Sequence, residues 1–217
     1  MSGLWEVFAL RYARLPQRTR RESLLGVDPH DAAPMPLDYY VWVLRAGDRA
    51  ILVDTGFDAE EGARRGRVIE REPRAGLALL GIDPALVADV IVTHLHYDHA
   101  GTLDHFPAAR FHLQEAEMAY ATGRCMGYAA LRQPYSVEHV CTMVRRVFDG
   151  RVAFHDGDEE VAPGVTVHRI GGHAKGIQCV RVATARGPVV LASDTAHYYE
   201  NFVDYRPFII VHDVEAT

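Results

Sequence analysis

Thr93-His94-Leu95-His96-Tyr97-Asp98-His99-Ala100-Gly101 is the stretch that decides the architecture of this chain. It follows Asp89-Val90-Ile91-Val92, a β-branched run that predicts a buried strand over 89–93. Side chains of an extended segment alternate faces, so His94, His96 and Asp98 leave that strand on one side. His99 comes immediately after, and a tight bend is needed to bring it round. Ala100 and Gly101 permit the close backbone approach that such a bend requires. Three imidazoles and one carboxylate are thereby gathered at one strand end, a donor set suited to zinc, iron or manganese. A lone histidine is more often a core or surface residue. Four ligand-type residues within six positions, at the end of an apolar strand, read instead as a metal site.

One ion rarely uses all four groups, so two ions sharing them with residues from later in the chain are expected. His173 lies in the glycine-rich bend Gly171-Gly172-His173-Ala174-Lys175-Gly176, after a predicted strand over 164–170. Asp194 lies in Ser193-Asp194-Thr195, at the end of a predicted strand over 188–193. Alone, His173 reads equally well as a ligand or as a loop residue, and Asp194 reads first as a common turn residue. With the cluster present, both become candidate ligands, and an aspartate at a sheet edge can bridge two cations through its two oxygens. A faint internal repeat points the same way: Ile51-Leu52-Val53-Asp54-Thr55 resembles Val190-Leu191-Ala192-Ser193-Asp194-Thr195. Two similar half-sheets facing each other would bring both strand ends to one edge.

Working outward, residues 5–12 predict an opening strand, and residues 15–37 a long surface loop of the kind that often serves as a lid. A hairpin is expected over 39–45 and 50–54, turning at Ala46-Gly47-Asp48. Helical spacing covers 59–81, and a short helical turn 84–87. A strand over 110–113 leads into a helix starting near Gln114, with Glu115 and Glu117 in its first turn. Residues 136–148 read as an amphipathic helix, and further strands are expected at 151–155 and 178–184.

The 217 residues suit one domain, 1–217, with a sizeable core; 48% are hydrophobic and 24% charged. With 23 basic and 29 acidic residues, the net charge of −6 argues against a nucleic-acid partner. No apolar run reaches the roughly 20 residues that span a bilayer, and the opening residues lack a secretory pattern. Three cysteines (Cys125, Cys141, Cys179) with no C-x-x-C pair predict neither a disulfide framework nor a cysteine zinc site, in keeping with a cytoplasmic setting. The apolar segment Phe208-Ile209-Ile210-Val211 suggests a homodimer contact.

Val53-Asp54-Thr55-Gly56, the 94–101 cluster, Gly172-His173 with Gly176 and Gln178, and Ser193-Asp194 resemble the metallo-β-lactamase superfamily. Within it, the chain is similar to the quorum-quenching N-acyl-homoserine lactone lactonases, a likeness also carried by Glu200-Asn201-Phe202 and by the opening run from Glu6 to Tyr12. The resemblance extends to about residue 202. It implies a four-layer αβ/βα sandwich with a dinuclear site at one edge. One ion would take His94, His96 and His173, the other Asp98 and His99, with Asp194 bridging and Asp54 supporting the loop from behind. The ions would be divalent, zinc first, with iron, manganese or cobalt as alternatives.

Two departures stand out. The family supplies a further histidine to the second ion from a Gly-His-Asp near the C-terminus. This chain has no such motif; His212-Asp213 arrives too early and reads as ordinary, so the chain looks shortened and its second ion weaker. The lactonases also place a tyrosine three residues after the bridging aspartate, where this chain has His197, followed by Tyr198.

The implied reaction is attack of a metal-bridging hydroxide on a lactone carbonyl, with Asp98 as proton carrier to the leaving oxygen. Tyr97, His197 and Tyr198 are candidate substrate contacts. Tyr97, Met118, Met126, Tyr128 and Phe202 are candidates for the wall of an acyl pocket. A thioesterase or esterase of the glyoxalase II kind, and an inactive metal-binding scaffold, remain as alternatives.

Overall fold

The fold, described for residues 3–217 by a computed structural model, follows from strands that alternate between two interiors. In β1 (Glu6–Leu15), Val7 turns to one interior, and Phe8 and Leu10 to the other. In β2 (Leu37–Ala46), Trp42 and Leu44 face the first of these, and Val41 and Val43 the second. β3 (Arg49–Val53) returns antiparallel after a turn in which Gly47 has φ +61°. β4 (Val68–Ile69) adds to the outer edge of β1. β5 (Asp89–Ile91), β6 (Arg110–Gln114) and β7 (Val152–His155) then run parallel to β3, completing the seven-stranded order β4-β1-β2-β3-β5-β6-β7.

The second sheet is antiparallel throughout. It contains β8 (Glu159–Ala162), β9 (Val165–Arg169), β10 (Gln178–Thr184) and β11 (Gly187–Leu191), in the order β11-β10-β9-β8. Val165, Val167, Val180 and Val182 meet Leu44, Ile51, Val53 and Ile91 of the first sheet in the inter-sheet core.

Six helices are described: α1 (Ala59–Arg64), α2 (Pro73–Leu79), α3 (Glu115–Ala121), α4 (Ala129–Arg132), α5 (Val137–Phe148) and α6 (Tyr199–Val203). Leu77, Tyr120, Ala121, Val140 and Met143 of α2, α3 and α5 fill the other interior, on the opposite face of the first sheet. The layers thus run helices, sheet, sheet. On the outward face of the second sheet Arg181 and Val190 are exposed. No helix among the described residues is long and apolar enough to cross a membrane.

Three readings of the sequence change. The helix expected over 59–81 is two helices separated by β4. Gly66 leaves α1 in the left-handed region, at φ +67°, and Pro73 starts α2 at its first position, where a missing N–H costs nothing. The strand β8 was not anticipated, because exposed Glu159 and Glu160 hide its pattern. Residues 15–37 are an ordered strap rather than a bare loop. Asp28 takes the His30 N–H (2.8 Å), Arg20 Nε (2.8 Å) and Arg206 Nη1 (2.6 Å), and Leu25 N–H donates to Pro207 O at 2.8 Å. Ion pairs to the C-terminal segment, not an apolar period, hold this strap in place.

β3, β5, β9 and β11 end at one edge of the paired sheets, and each is followed there by a candidate ligand or its support. This is the position at which open α/β sheets collect ligands.

Candidate metal centre

Asp54 follows β3 with φ +62°, a strained conformation for a residue with a Cβ. The turn aims its carboxylate at the next strand end. Oδ1 accepts the Thr93 N–H at 2.7 Å, and Oδ2 lies 2.7 Å from His99 Nδ1. Asp54 therefore stands where expected, behind the cluster. The segments are laced further: Thr55 N–H donates to His99 O (2.8 Å), Gly101 N–H to Gly56 O (2.8 Å) and the Thr102 hydroxyl to Thr55 O (2.7 Å). Gly101 must be glycine, since a Cβ there would sit 2.5 Å from Gly56 O and 2.7 Å from Tyr97 O. The Tyr12 hydroxyl donates to Asp98 O at 2.9 Å, tying the cluster to β1.

A second carboxylate, absent from the expected site, braces the cluster from the helical side. Glu117, fully buried in α3, accepts the Leu95 N–H (3.0 Å), the Tyr135 hydroxyl (2.8 Å) and the Gly176 N–H (3.0 Å). It joins the 94–99 loop to the bend that carries His173. A Cβ on Gly176 would fall 2.1 Å from Glu117 N. The sequence signal was present as Gly176 and a first-turn glutamate, but that position reads first as a helix-dipole partner.

His94, His96, His173 and Asp194 offer donor atoms that all lie within 4.8 Å of one another, and so do Asp98, His99 and Asp194. Asp194 belongs to both groups. Its Oδ2 is 3.3 Å from His173 Nε2 and 3.9 Å from His94 Nε2, and its Oδ1 is 3.4 Å from His99 Nε2. His212 is not in either group; its ring lies against Tyr120, 4.6 Å between centroids.

Hydrogen-bond accounting tests whether these groups suit a cation. His173 Nδ1 lies 2.7 Å from Ile210 O, which can only accept, so its proton is there and Nε2 is a bare lone pair. That lone pair faces His96 Nδ1 at 2.9 Å. His99 Nδ1 lies 2.7 Å from Asp54 Oδ2, and its Nε2 lies 3.4 Å from Asp194 and 3.6 Å from Asp98, among carboxylates. His94 Nε2 is buried with no hydrogen-bond partner. The lone pairs of His94 Nε2 and His173 Nε2 lie 3.9 Å and 3.3 Å from the Asp194 carboxylate, with no proton between them, so the donor set fits divalent metal ions.

Electrostatics divide the four rings. Burial holds His94 and His96 well below the ordinary histidine range and brings His173 down to about 3, favouring the neutral, ligating form. Burial opposes charge on His99 too, but Asp194, Asp54 and Asp98 override it and push that ring up. The Asp98 carboxyl is raised by burial and by Asp194. Asp194 is depressed despite burial, by His197 and His99.

The cluster opens into a cavity of about 340 Å³. Tyr97 and His197 line it. Tyr198 does not: its hydroxyl turns away to donate to Met35 O (3.1 Å) and Pro36 O (3.2 Å), securing the strap. Of the expected acyl wall only Tyr97 is found in place. Met118 and Met126 pack on the helical core, and Tyr128 and Phe202 are exposed. The wall comes instead from Leu37, Tyr39, Tyr40 and Trp42 of β2, with Phe208 and Ile210 opposite. Phe208 stacks on His197 at 3.6 Å between centroids, so two residues of the apolar segment expected at a homodimer contact face inward.

Residues 35–215 match the family model of the metallo-beta-lactamase superfamily, and the chain belongs to that superfamily. Its relatives narrow the class. An N-acyl homoserine lactonase of a Bacillus species is 30% identical over 189 residues, covering 79% of this chain and 70% of that protein. The N-acyl homoserine lactonase AiiA of Bacillus thuringiensis subsp. kurstaki is 28% identical over 187 residues, covering 79% and 69%. A crystal structure of a quorum-quenching N-acyl homoserine lactone lactonase superposes on all of this chain and 83% of its own, with TM-score 0.81 and 25% identity. An N-acyl homoserine lactone hydrolase with N-hexanoyl-L-homoserine bound at its catalytic metal centre shares the fold, with TM-score 0.79 and 23% identity over all of this chain and 85% of that one.

Proposed function

We propose that this chain opens the ring of an N-acyl-homoserine lactone or a similar small lactone, with two divalent cations, zinc first among them. His94, His96 and His173 would hold one ion, Asp98 and His99 the other, and Asp194 both. The observation that carries this reading is the pair of donor groups sharing Asp194, with the Nε2 atoms of His173 and His99 turned toward it. Cations bound there supply a water acidic enough to attack at neutral pH and an electrophile for the carbonyl oxygen.

The chain's own residues supply the rest. Asp54 and Ile210 O fix the tautomers of His99 and His173 by taking their Nδ1 protons. Asp98, whose carboxyl is raised by burial, receives a proton as the carbonyl is attacked and returns it to the ring oxygen as the C–O bond breaks. Tyr97 and His197 are the substrate contacts on the cavity wall. The acidic balance disfavours a nucleic-acid substrate, and free cysteines fit a cytoplasmic setting.

The test is acid release from a panel of N-hexanoyl homoserine lactone, a glutathione thioester and a phosphodiester, using zinc-loaded protein. Lactone opening that is abolished by chelation and restored by zinc is expected. Turnover of the thioester alone would overturn the lactonase reading.

A further inference from the structure

Two guanidinium groups line the cavity without a carboxylate partner. Arg18 is 9% exposed and Arg67 is partly buried, and no carboxylate oxygen among the described residues approaches either within the 4.0 Å of an ion pair, although fifteen ion pairs are formed by other arginines, Arg11, Arg20 and Arg65 among them. Asp38 lines the same cavity, but its oxygens take Arg11 Nη1 and Arg14 Nε at 3.0 Å each. Glu22, on the strap beside Arg18, turns back to the Thr19 N–H and hydroxyl at 2.8 Å each.

Both arginines are held rigidly by their other nitrogens. Arg18 Nε donates to Ser23 Oγ (2.9 Å), its Nη2 donates to Glu22 O, and its guanidinium lies 4.8 Å over the Phe208 ring. Arg67 Nε donates to the Tyr97 hydroxyl (2.9 Å) and its Nη1 to Arg65 O (2.6 Å). One terminal nitrogen of each, Nη1 of Arg18 and Nη2 of Arg67, has no protein acceptor, and neither is among the buried atoms lacking a partner. Both therefore open onto space. A nine-tenths-buried guanidinium without an anion is costly, and a preset fork with a free N–H is what carboxylate recognition uses.

We propose that Arg18 and Arg67 form an anion clamp that selects a lactone whose acyl arm carries a carboxylate, gripped at the cavity wall while the ring lies on the metal side. This rests on the lactonase reading for the ring but not for the clamp. A neutral alkanoyl arm would leave both guanidinium groups unanswered in the filled cavity.

Two measurements keep the two readings apart. First, hydrolysis of N-hexanoyl homoserine lactone is compared with that of its adipoyl counterpart, which bears a terminal carboxylate, on zinc-loaded wild type and on R18Q, R67Q, R18K and R67K. The wild type should prefer the adipoyl lactone by about 10-fold or more, through KM rather than kcat. That ratio should collapse toward one in the glutamine variants and partly return in the lysine variants. Second, calorimetry compares binding of adipic acid monoamide and hexanamide to the same proteins. Tighter binding of the monoamide that is lost in R18Q and R67Q supports the clamp even if neither lactone is opened, in which case only the lactonase reading falls. Equal binding of the two amides, or monoamide binding unmoved by both glutamine variants, overturns the clamp.

Discussion

Glu117 holds the main chain of the metal loop at Leu95, its Oε1 accepting that N–H at 3.0 Å from a position with no solvent exposure. The same carboxylate grips Gly176, so one side chain sets the spacing between His94–His96 and His173. Burial raises this carboxyl, and three donors stabilise its charged form. Glu117→Ala leaves those donors unsatisfied, at about 3 kcal/mol or more in total. We expect a lower melting temperature and weaker zinc binding, measured by competition with a chromophoric chelator. Glu117→Gln, which keeps the shape and one acceptor, should fall between. An alanine variant with wild-type zinc affinity would reduce Glu117 to a packing residue.

Asp98 is predicted to carry the proton that leaves with the ring oxygen. Asp98→Asn should retain at least one metal ion yet lose turnover by about 100-fold or more. Unchanged turnover on N-hexanoyl homoserine lactone would remove Asp98 from proton transfer.

The bend at Gly101 is predicted to be intolerant of any side chain. In Gly101→Ala the new carbon would meet three main-chain atoms, including Phe57 Cα at 2.9 Å, and none of them belongs to a flexible side chain. A cost on the order of 3 kcal/mol or more is expected, read as a drop in urea midpoint. Gly47→Ala is the control. It has a positive φ (+61°), which Gly101 lacks, and nothing within 4 Å of an added Cβ, so only the backbone term of about 1–2 kcal/mol applies.

The strap should be acid-labile through Asp28. The His30 N–H, Arg206 and Arg20 hold its carboxyl well below the usual range. A depressed folded value contributes stability that is complete above the unfolded value of about 3.9 and is lost as pH falls through the folded one. Asp28→Asn should therefore melt below the wild type at pH 6–7, with the gap closing below about pH 4. A gap that stays constant into acid would show that packing, not charge, makes the difference.

The candidate site was legible where donor residues sit close in sequence or after a strand: the 94–99 cluster, His173, Asp194 and the neighbouring Asp54. Their convergence needs only strand ends meeting at one sheet edge. Glu117 was not legible as a brace, because its partners Leu95 and Gly176 come from two loops joined only by folding. The cavity wall was misplaced for a similar reason. Met118 and Phe202 looked like apolar lining by type, whereas β2 aromatics and Phe208 line the cavity by virtue of sheet order and the strap. Among the elements, Gly66 and Pro73 broke a helical period that spacing alone had made continuous.

The central claim is a two-ion site that shares Asp194. It is tested most directly by elemental analysis of zinc bound per chain across a titration of free zinc. A site of this kind should bind two ions per chain at saturation. The ion on Asp98 and His99, with fewer protein ligands, should be removed first by a weak chelator, and Asp194→Asn should lower the affinity for both. Saturation at one ion or none in the wild-type chain would contradict it.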